Sequence, residues 1–296
     1  MDFAKLDDKR VFLTGAADGI GAALARALRR GGARVFLCDV AEERLRETAA
    51  ALEAPHAVCD VKNATGLART VERAWRELGG LDLVCANAGV VTTGPLLETS
   101  REELDWIFGI NVWGVLDTCR PFVRLLREHR RAGHILMTGS EASLSYPHLI
   151  RGMALGAYLM TKHAVLAMAD GLRADLAPDG IGVSVLCPGP VATSLAQNSN
   201  ALRPTASAAG LVAARRTARE PHATAPGAAS PPPTAGLDAQ AQAQVAALSL
   251  PPDAIAARAL AGLRRGLFVI PTHPHIGDDV EARQAEIRAG LAALDA

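Results

Sequence analysis

The chain has 296 residues, with 31 basic and 31 acidic side chains, so its formal net charge at pH 7 is zero. A neutral chain gives no electrostatic basis for binding nucleic acid or an acidic membrane. No apolar run reaches the ~18 residues that a membrane span requires. The N-terminal sequence MDFAKLDD carries acids where a secretory signal peptide has a positive and then an apolar segment. The composition therefore predicts a cytoplasmic protein.

The cysteines and histidines do not follow the spacing of metal sites. Four of the five cysteines fall at the ends of apolar, strand-like runs, and none forms a CxxC pair. This placement predicts buried free thiols rather than disulfides or metal ligands. His273 and His275 alternate with threonine and proline without a supporting carboxylate or cysteine, so we expect a surface loop and no metal. The cysteines are Cys38, Cys59, Cys85, Cys119 and Cys187.

The first chemical motif is a glycine-rich turn, TGAADGIG, at Thr14–Gly21. It follows an apolar run typical of a buried parallel strand, and it precedes residues 22–28, which have helix formers at apolar helical spacing. Glycines let a backbone approach a pyrophosphate, and a helix N-terminus offers free N–H groups and a positive dipole end. The glycines alone leave a plain βα turn open as the alternative.

A second strand, predicted at 34–38, ends in Asp39. An acid at this point can bind both ribose hydroxyls, and it repels a 2′-phosphate. Residues 16–18 contain no arginine or lysine that could pair with such a phosphate, and Asp18 adds a like charge. The turn and the acid together predict a nucleotide site that prefers NAD to NADP.

Apolar strand-like runs alternate with helical stretches along most of the chain. This alternation implies right-handed βαβ units and one parallel sheet with helices on both faces. We therefore predict an α/β fold in which residues 1–296 form a single doubly wound, Rossmann-type domain. The predicted strands are 10–14, 34–38, 56–60, 81–86, 133–138, 181–187 and 267–270.

Residues 196–250 interrupt the alternation, because they are rich in proline and alanine and poor in large apolar side chains. Such a segment buries too little surface to offset its ordering entropy. We expect a short lid near 193–203 and 237–250, with a helix at 237–248. Residues 205–235 are expected to be a flexible, solvated insertion.

Tyr158 and Lys162 lie four residues apart in a helical stretch, so the ammonium group is expected beside the phenol. A free phenol titrates near pH ~10, which is too high for efficient proton transfer at neutral pH. A neighbouring cation favours the phenolate and lowers its pKa, which makes tyrosine a usable general acid and base. Such a pair is common by chance, so the inference depends on the other motifs.

In this order, the motifs resemble those of the short-chain dehydrogenase/reductases. The resemblance covers residues 8–195 strongly and 251–275 more weakly. It implies an oxidoreductase acting on a small molecule, with a seven-stranded parallel sheet of order 3-2-1-4-5-6-7. The matching positions are Thr14–Gly21, Asp60–Val61, Asn87–Gly89, Asn111, Ser140, Tyr158 with Lys162, and Pro188–Val191 with Thr193.

The resemblance implies a role for each matching residue. Tyr158 exchanges a proton with the substrate oxygen, and Lys162 binds the nicotinamide ribose. Ser140 donates a hydrogen bond to the substrate, and Asn111 links Lys162 to a water chain. The implied cofactor-binding residues are Gly15, Asp18, Gly19, Ile20, Gly21, Asp39, Asp60, Val61, Asn87, Ala88, Gly89, Tyr158, Lys162, Pro188, Gly189, Val191 and Thr193.

The interval between the catalytic serine and Tyr158 is longer than the family's usual one, and Ser143 or Ser145 would suit the usual gap better. The predicted fifth strand nevertheless ends at 138, and Ser140 lies just past that end. We therefore assign the catalytic position to Ser140, with Ser143 as the alternative, and place the extra residues within 144–155. We expect this insertion to add His148, Leu149, Ile150 and Met153 beside the substrate pocket.

The predicted helix 101–128 carries Trp106 and Trp113, seven residues apart, which we expect in the core or at an interface. The resemblance implies that this helix and the Tyr158 helix pair across a dimer axis. A homodimer or homotetramer is therefore expected.

The substrate pocket is expected to be apolar and without a fixed charge, which favours a secondary alcohol or ketone with hydrophobic substituents, aryl groups among them. A 3-oxoacyl or steroid-type ketone is an alternative. So are an epimerase or dehydratase and a nucleotide sensor without turnover, although the Asn-Ser-Tyr-Lys set argues against the sensor. The expected pocket residues are Val90, Val91, Leu149, Met153 and Leu195.

Overall fold

Seven parallel strands form one sheet in the order β3-β2-β1-β4-β5-β6-β7. The structure is a computed structural model, and it describes residues 3–204 and 239–294. The predicted fold and strand order are confirmed, with shifts of one or two residues at several strand ends. The strands are β1 (Arg10–Thr14), β2 (Arg34–Asp39), β3 (His56–Val58), β4 (Leu83–Ala86), β5 (Gly133–Thr138), β6 (Ile181–Cys187) and β7 (Val269–Pro271).

Helices cover both faces of the sheet. Along β1, Phe12 belongs to one hydrophobic core while Val11 and Leu13 belong to the other, because successive side chains of a strand point to opposite faces. The helices are α1 (Gly19–Arg30), α2 (Glu42–Leu52), α3 (Ala64–Leu78), α4 (Arg101–Phe108), α5 (Gly114–Glu128), α6 (Gly156–Leu176), α7 (Leu195–Leu202), α8 (Ala239–Leu248), α9 (Pro252–Arg264) and α10 (Ile276–Ala292). Helices α1 and α9 pack on one face, and α3, α5 and α6 pack on the other.

Helix α3 shows how local sequence sets these elements. The side chain of Asn63 accepts a hydrogen bond from the backbone N–H of Gly66 and so caps the first turn. Apolar residues from Leu67 to Leu78 then recur at helical spacing and are buried. The helix ends at Gly79, whose φ of 75° is a left-handed conformation that glycine adopts at little cost.

The predicted helix 101–128 is interrupted by a π-helical segment, Gly109–Trp113, between α4 and α5. A π turn contains an extra residue, so side chains seven apart no longer share one face. Trp106 accordingly lies in the core at 6% exposure, whereas Trp113 is 56% exposed. The core position of Trp106 agrees with the prediction, and for Trp113 only the interface role remains a prediction.

The segment predicted as a lid contains α7 and α8. The hydroxyl of Ser199 in α7 accepts a hydrogen bond from the backbone N–H of Val91 at 2.9 Å. Just past α7, Arg203 forms a buried ion pair with Glu103 of α4. Helix α7 is thus docked by polar contacts. Residues 205–238, which include the predicted insertion at 205–235 and Leu237, lie outside the described residues.

All five cysteines are free thiols, as predicted, and only Cys59 is partly exposed. In residues 3–204 and 239–294, we find no helix with the length and apolar character needed to cross a membrane.

Candidate active site

The glycine turn after β1 lies against the residues that follow β4. Gly15 and Gly19 have φ values of +67° and +55°, which L side chains rarely adopt. A Cβ on Gly15 would lie 2.8 Å from the Cα of Ala88, and a Cβ on Gly21 would overlap the carbonyl oxygen of Gly15. The turn therefore needs glycine for close backbone packing. Ile20 follows in the first turn of α1.

Asp18 caps α1 and also joins the glycine turn to α7. Its carboxylate accepts hydrogen bonds from the backbone N–H of Gly19 at 2.6 Å and from Nδ2 of Asn198 at 3.1 Å, and it pairs with Arg44 at 3.2 Å. Burial alone would raise the pKa of Asp18. Hydrogen bonds from Gly19, Asn198 and Ser194, together with the charge of Arg44, outweigh burial and hold that pKa below its ordinary value. Sequence reasoning missed Arg44, because it looked for a cation only within the turn.

Asp39, at the end of β2, is fixed beside the same turn. Its Oδ2 accepts a hydrogen bond from the backbone N–H of Ala17 at 3.0 Å, and its Oδ1 accepts one from Ala41 at 2.9 Å. Both oxygens of the carboxylate are therefore held in place, and a negative charge stands at this end of the strand.

Asp60 and Val61 follow β3 and differ in environment. Asp60 is partly exposed and pairs with Lys62, whose Nζ lies 3.6 Å from Oδ2. Val61 is buried, and a Cβ on Gly114 would lie 2.7 Å from its Cγ2. Of these two, only Asp60 offers a partly exposed polar side chain at the strand end.

Asn87 ties three strand ends together. Its Nδ2 donates to the carbonyl oxygens of Thr14 at 3.1 Å and Gly15 at 3.3 Å, and its Oδ1 accepts from the hydroxyl of Thr138 at 3.0 Å. Its backbone N–H and that of Ala88 both donate to Oγ1 of Thr14. The ends of β1, β4 and β5 are therefore held in one fixed arrangement around the glycine turn.

Lys162 and Tyr158, both on α6, lie side by side as their spacing predicts. Nζ of Lys162 donates to the carbonyl oxygen of Thr138 at 2.9 Å and lies 5.6 Å from the centroid of the Tyr158 ring. A Cβ on Gly89 would lie 3.6 Å from the same Nζ. The loop after β4 therefore passes close to the ammonium group at this position.

The expected lowering of the Tyr158 pKa is not what the structure shows. Burial raises the pKa of Tyr158 to about 12, and the charge of Glu141 and the thiol of Cys187 add to this, whereas a hydrogen bond with Ser140 works against it. Burial also lowers the pKa of Lys162 to about 8. The prediction was wrong because it counted the neighbouring cation and left out the loss of water around the phenol.

Ser140 is the candidate serine that contacts Tyr158. It follows β5, and its Oγ accepts a hydrogen bond from the backbone N–H of Ala142 at 3.2 Å, which caps the short turn Glu141–Ser143. Ser143 is buried, and its Oγ accepts a hydrogen bond from the backbone N–H of Ser140 at 3.1 Å. The geometry supports a structural role for Ser143 and a chemical role for Ser140.

Asn111 lies in the π-helical segment and is fully buried. Its Nδ2 donates to the carbonyl oxygen of Val90 at 2.9 Å and to Oγ1 of Thr161 at 3.0 Å, while its Oδ1 accepts from the backbone N–H of Val90. The side chain therefore fastens the loop after β4 to α6. Its expected link to Lys162 stays a prediction. Sequence reasoning also missed Thr161, although it precedes Lys162.

The loop after β6 approaches the site from the other side. The carbonyl oxygen of Pro188 accepts a hydrogen bond from the backbone N–H of Glu141 at 2.7 Å. The backbone N–H of Gly189 donates to Nδ1 of His273 at 3.2 Å and to Oγ1 of Thr272 at 3.3 Å. This loop is therefore anchored to both the serine turn and the segment after β7.

Val191 and Thr193 continue that loop toward the glycine turn. Val191 forms a parallel bridge with Leu250. A Cβ on Gly19 would lie 3.2 Å from Cγ2 of Thr193, so Thr193 stands directly beside the N-terminus of α1. The predicted cofactor residues that follow β1 and β6 thus meet across one cleft.

The surface loop predicted for His273 and His275 is wrong. His273 is buried, and Nε2 of His275 donates to Oε2 of Glu141 at 2.9 Å. The carbonyl oxygen of Leu248 accepts from Nε2 of His273 at 3.1 Å. His273 is buried and His275 is half-buried, because partners far away in sequence bond both ring nitrogens of His273 and Nε2 of His275. Within residues 3–204 and 239–294, no three or more His, Cys, Asp or Glu side chains form a group that could hold a metal ion.

An apolar cluster lies next to Tyr158. Of the expected pocket residues, Val91, Leu149 and Met153 belong to it, whereas Val90 packs in the main core and Leu195 is exposed. Other members were not foreseen, among them one from α8, which closes the cluster from the side of the predicted lid. These are Tyr146, Leu155, Leu159 and Val245, whereas Ile150 belongs to the insertion expected beside the pocket.

Comparison with known proteins gives consistent matches. Residues 9–203 match the family model described as short chain dehydrogenase. The chain is 38% identical over 205 residues to 1-deoxy-11-beta-hydroxypentalenate dehydrogenase of Streptomyces exfoliatus, covering 67% of this chain and 73% of that protein. It is 35% identical over 192 residues to sorbitol dehydrogenase of Cereibacter sphaeroides, covering 63% and 72%.

One solved structure is similar over nearly the whole chain. It is a short chain dehydrogenase/reductase from Burkholderia phymatum in complex with NAD. The TM-score is 0.80 at 29% identity, and the match covers 97% of this chain and 96% of that one.

The packing of the glycine turn can be tested by adding one methyl group. We expect Gly21→Ala to lower the free energy of unfolding by roughly 1–3 kcal/mol in urea titrations, because its Cβ would overlap backbone. Gly290→Ala is the matched control: its Cβ would meet open space in α10, and helix propensity favours alanine by up to ~1 kcal/mol. Equal stability of the Gly21→Ala and unmodified proteins would contradict the close packing.

Proposed function

Because the chain belongs to the short-chain dehydrogenase family of oxidoreductases, we propose that it transfers a hydride between NAD and a hydrophobic secondary alcohol or ketone, aryl compounds included. One observation carries the proposal. Tyr158, with Lys162 and Ser140 beside it, lies in the same cleft as the glycine turn and the end of β2.

The residues of this cleft fit a dinucleotide. The glycine turn has no room for side chains at Gly15 and Gly21, and the N-terminus of α1 opens toward it. Asp39 would hold the adenosine ribose, and Lys162 the nicotinamide ribose. When bound, the nicotinamide ring would supply or accept the hydride. The Burkholderia structure, a complex with NAD, supports this assignment.

Tyr158 would be the acid and base of the reaction. Its pKa of about 12 keeps the phenol protonated at neutral pH, so its Oη can donate a proton to a carbonyl oxygen during reduction. During alcohol oxidation the same oxygen must first lose its proton, and the charge of Lys162 then stabilises the phenolate. Ser140 would donate a hydrogen bond to the reacting oxygen and hold it beside the phenol.

The charges around the ribose site support a preference for NAD. Asp39 carries a fixed negative charge, which would repel a 2′-phosphate. Arg44 is close by, but its NH1 is engaged by Asp18 at 3.2 Å and by Oδ1 of Asn198 at 2.9 Å. Arg44 is thereby tied to Asp18, whose own charge would also repel a 2′-phosphate.

The apolar cluster supports a hydrophobic substrate. The two relatives are named for dehydrogenation of a hydroxypentalenate and of sorbitol. Leu149, Met153 and Val245 beside Tyr158 offer apolar surface rather than the hydrogen-bond partners that a polyol needs. This favours a hydroxylated compound with a bulky apolar body. The alternative substrates, 3-oxoacyl and steroid-type ketones, are tested in the same substrate panel.

A homodimer or homotetramer in the cytoplasm completes the proposal. Trp113 and Met160 are exposed apolar side chains in the helical regions that the resemblance assigns to a dimer axis. Sedimentation of the purified protein would test the oligomeric state directly.

The proposed function is tested with a panel of aryl, terpenoid, steroid and 3-oxoacyl alcohols and ketones, each with NAD(H) and NADP(H), followed at 340 nm. We expect turnover of bulky apolar compounds. An epimerase or dehydratase would convert substrate, as seen by chromatography, without a net change in absorbance. A nucleotide sensor would bind cofactor and turn over none of the compounds.

Substitution of the phenol tests the catalytic assignment. Tyr158→Phe should lower kcat by ~10²–10⁴-fold while NADH affinity stays similar, because it removes the acid and base but little packing. Ser140→Ala should also lower kcat strongly, because it removes the hydrogen bond to the reacting oxygen. Ser143→Ala removes a hydrogen bond to backbone and should cost about 1 kcal/mol of stability with little change in kcat. A larger activity loss in Ser143→Ala than in Ser140→Ala would mean that the serine is misassigned.

The pH dependence follows from the two shifted groups. Oxidation needs the phenolate of Tyr158, whose pKa is about 12, so its rate should rise with pH from neutrality upward. The rise should flatten once Lys162, with a pKa of about 8, loses its charge. Reduction needs the phenol, which is the main form throughout, and should gain nothing from a higher pH. An oxidation rate that falls between pH 7 and 8 would argue against Tyr158 as the base.

Cofactor preference depends on Asp39. Asp39→Ala removes the ribose ligand and the charge, so kcat/KM with NAD should fall by roughly 10- to 100-fold and the preference over NADP should narrow. Arg44→Ala, the control, should leave the preference for NAD in place. If the unmodified protein turned over substrate with NADP as fast as with NAD, or faster, the proposed preference for NAD would be contradicted.

A further inference from the structure

Glu141, the residue after Ser140, is a buried carboxylate with only 4% of its surface exposed. Its backbone N–H donates to the carbonyl oxygen of Pro188 at 2.7 Å, and its Oε2 accepts from Nε2 of His275 at 2.9 Å. Glu141 thus connects the turn that carries Ser140 with the loop after β6 and with the segment after β7.

Gly189 is enclosed between Glu141 and His273. A Cβ on Gly189 would lie 3.0 Å from Oε2 of Glu141 and 2.8 Å from Nδ1 of His273, which also accepts the backbone N–H of Gly189. Burial, with the charges of His275 and Arg258, lowers the pKa of His273. A neutral ring keeps Nδ1 available as an acceptor, so the loop position is set by contacts on both sides.

A second polar link joins the same segment to the apolar cluster. The backbone N–H and Nδ1 of His148 both bond Oδ1 of Asp279 in α10, at 3.0 and 2.9 Å. His148 begins the short helical turn that carries Leu149 and Met153. The segment 272–279 therefore touches the serine turn, the loop after β6 and the substrate side of the cleft.

These polar links are poorly explained by stability. Among the described residues, Nδ1 of His275 and Oδ2 of Asp279 are buried without a hydrogen-bond partner. Buried polar pairs with unused hydrogen-bonding groups often contribute less to stability than apolar residues of the same size. Their placement against both sides of the cleft indicates another role.

We propose that Glu141 and His275 are positioning residues for hydride transfer. Together they hold the turn that carries Ser140 against the loop that carries Gly189. This contact would fix the distance and orientation between the reacting oxygen and the nicotinamide ring. This inference rests on the proposed function, because it takes Ser140 and Gly189 to border the reacting groups. Misplacement of reacting groups by about 1 Å can cost on the order of 10²-fold in rate.

The pair also places a charge near the phenol. Glu141 contributes to the raised pKa of Tyr158. Burial raises the pKa of Glu141 itself, and the charge of Asp279 adds to this, whereas the hydrogen bond and charge of His275 and the charge of His148 work against it. The other ionisable groups beside the phenol are Cys187 and Lys162. Neutralising Glu141 therefore has a predictable effect on proton transfer, separate from its effect on packing.

The positioning role is tested with His275→Leu and His275→Gln, measured as kcat and KM on the most active substrate of the panel. We expect His275→Leu to lower kcat by roughly 10- to 100-fold with little change in the thermal midpoint. His275→Gln keeps a donor toward Glu141 and should recover most of the loss. His134→Gln is the matched control, since His134 is a buried histidine bonded to Ser184, at the opposite end of β5 from Ser140.

Glu141→Gln separates charge from packing, because it keeps the shape and an acceptor for His275. In this variant, the rise of the alcohol oxidation rate with pH should begin at a lower pH, because removal of a negative charge lowers the pKa of Tyr158. A purely structural residue would leave this rise in place. Equal kcat in His275→Leu and His134→Gln, or an unmoved rise in Glu141→Gln, would overturn the inference.

The variants distinguish a failure of the proposed function from a failure of the positioning role of Glu141 and His275. If Tyr158→Phe and Ser140→Ala retain full activity, the proposed function fails and the positioning role fails with it. If those variants are inactive while His275→Leu and Glu141→Gln behave as the unmodified protein does, the catalytic site stands and only the positioning role is overturned.

Discussion

The ammonium group of Lys162 is almost entirely removed from water, at 5% exposure, and much of the surrounding structure serves to hold it. An isolated buried cation is costly, so it must have a polar partner. The carbonyl oxygen of Thr138, at the end of β5, is that partner at 2.9 Å. Strand β5 must therefore end where it does relative to α6. The loop after β4 passes the same group at Gly89, where a Cβ would lie 3.6 Å from Nζ.

Burial acts in opposite directions on the two neighbours. It raises the pKa of Tyr158 to about 12 and lowers that of Lys162 to about 8. At neutral pH the phenol is neutral and the amine is charged, so the cleft holds one buried positive charge. A negative charge that forms next to it is stabilised more strongly than in water, because the local dielectric constant is low. The pair thus favours developing anionic character on an oxygen at this point.

The sequence predicted the parts of this arrangement that depend on local spacing. The glycine turn, the strand ends at Asp39 and Thr138, and the four-residue interval of Tyr158 and Lys162 follow from backbone sterics and helix geometry. The π-helical segment that carries Asn111 was missed, because residues 101–128 read as one continuous helix. Its buried amide is satisfied by Val90 and Thr161, which are distant in sequence and therefore invisible to local periodicity.

The same reason explains the misplacement of the histidines after β7. Prolines around His273 and His275 favour a loop, and the chain does turn there. Whether a loop is exposed, however, depends on what covers it. Here the covering groups come from Glu141 and Leu248, and no local property of residues 272–275 reveals them. The prediction of a lowered pKa for Tyr158 failed for a similar reason. The spacing reveals that Lys162 is its neighbour, but it does not reveal that the phenol is removed from water.

Polar contacts, rather than core packing, set the position of α7 on the substrate side of the cleft. Helix α8 has no buried residue, and α7 has only Ser199. Both helices therefore gain little from hydrophobic burial, which scales with the apolar area removed from water. Hydrogen bonds and ion pairs are directional, so the Glu103–Arg203 pair and the Ser199–Val91 bond specify one position for α7. A helix held this way can change its apolar side chains without losing its place. The pocket can therefore change its shape while the hydride-transfer geometry beneath it stays fixed.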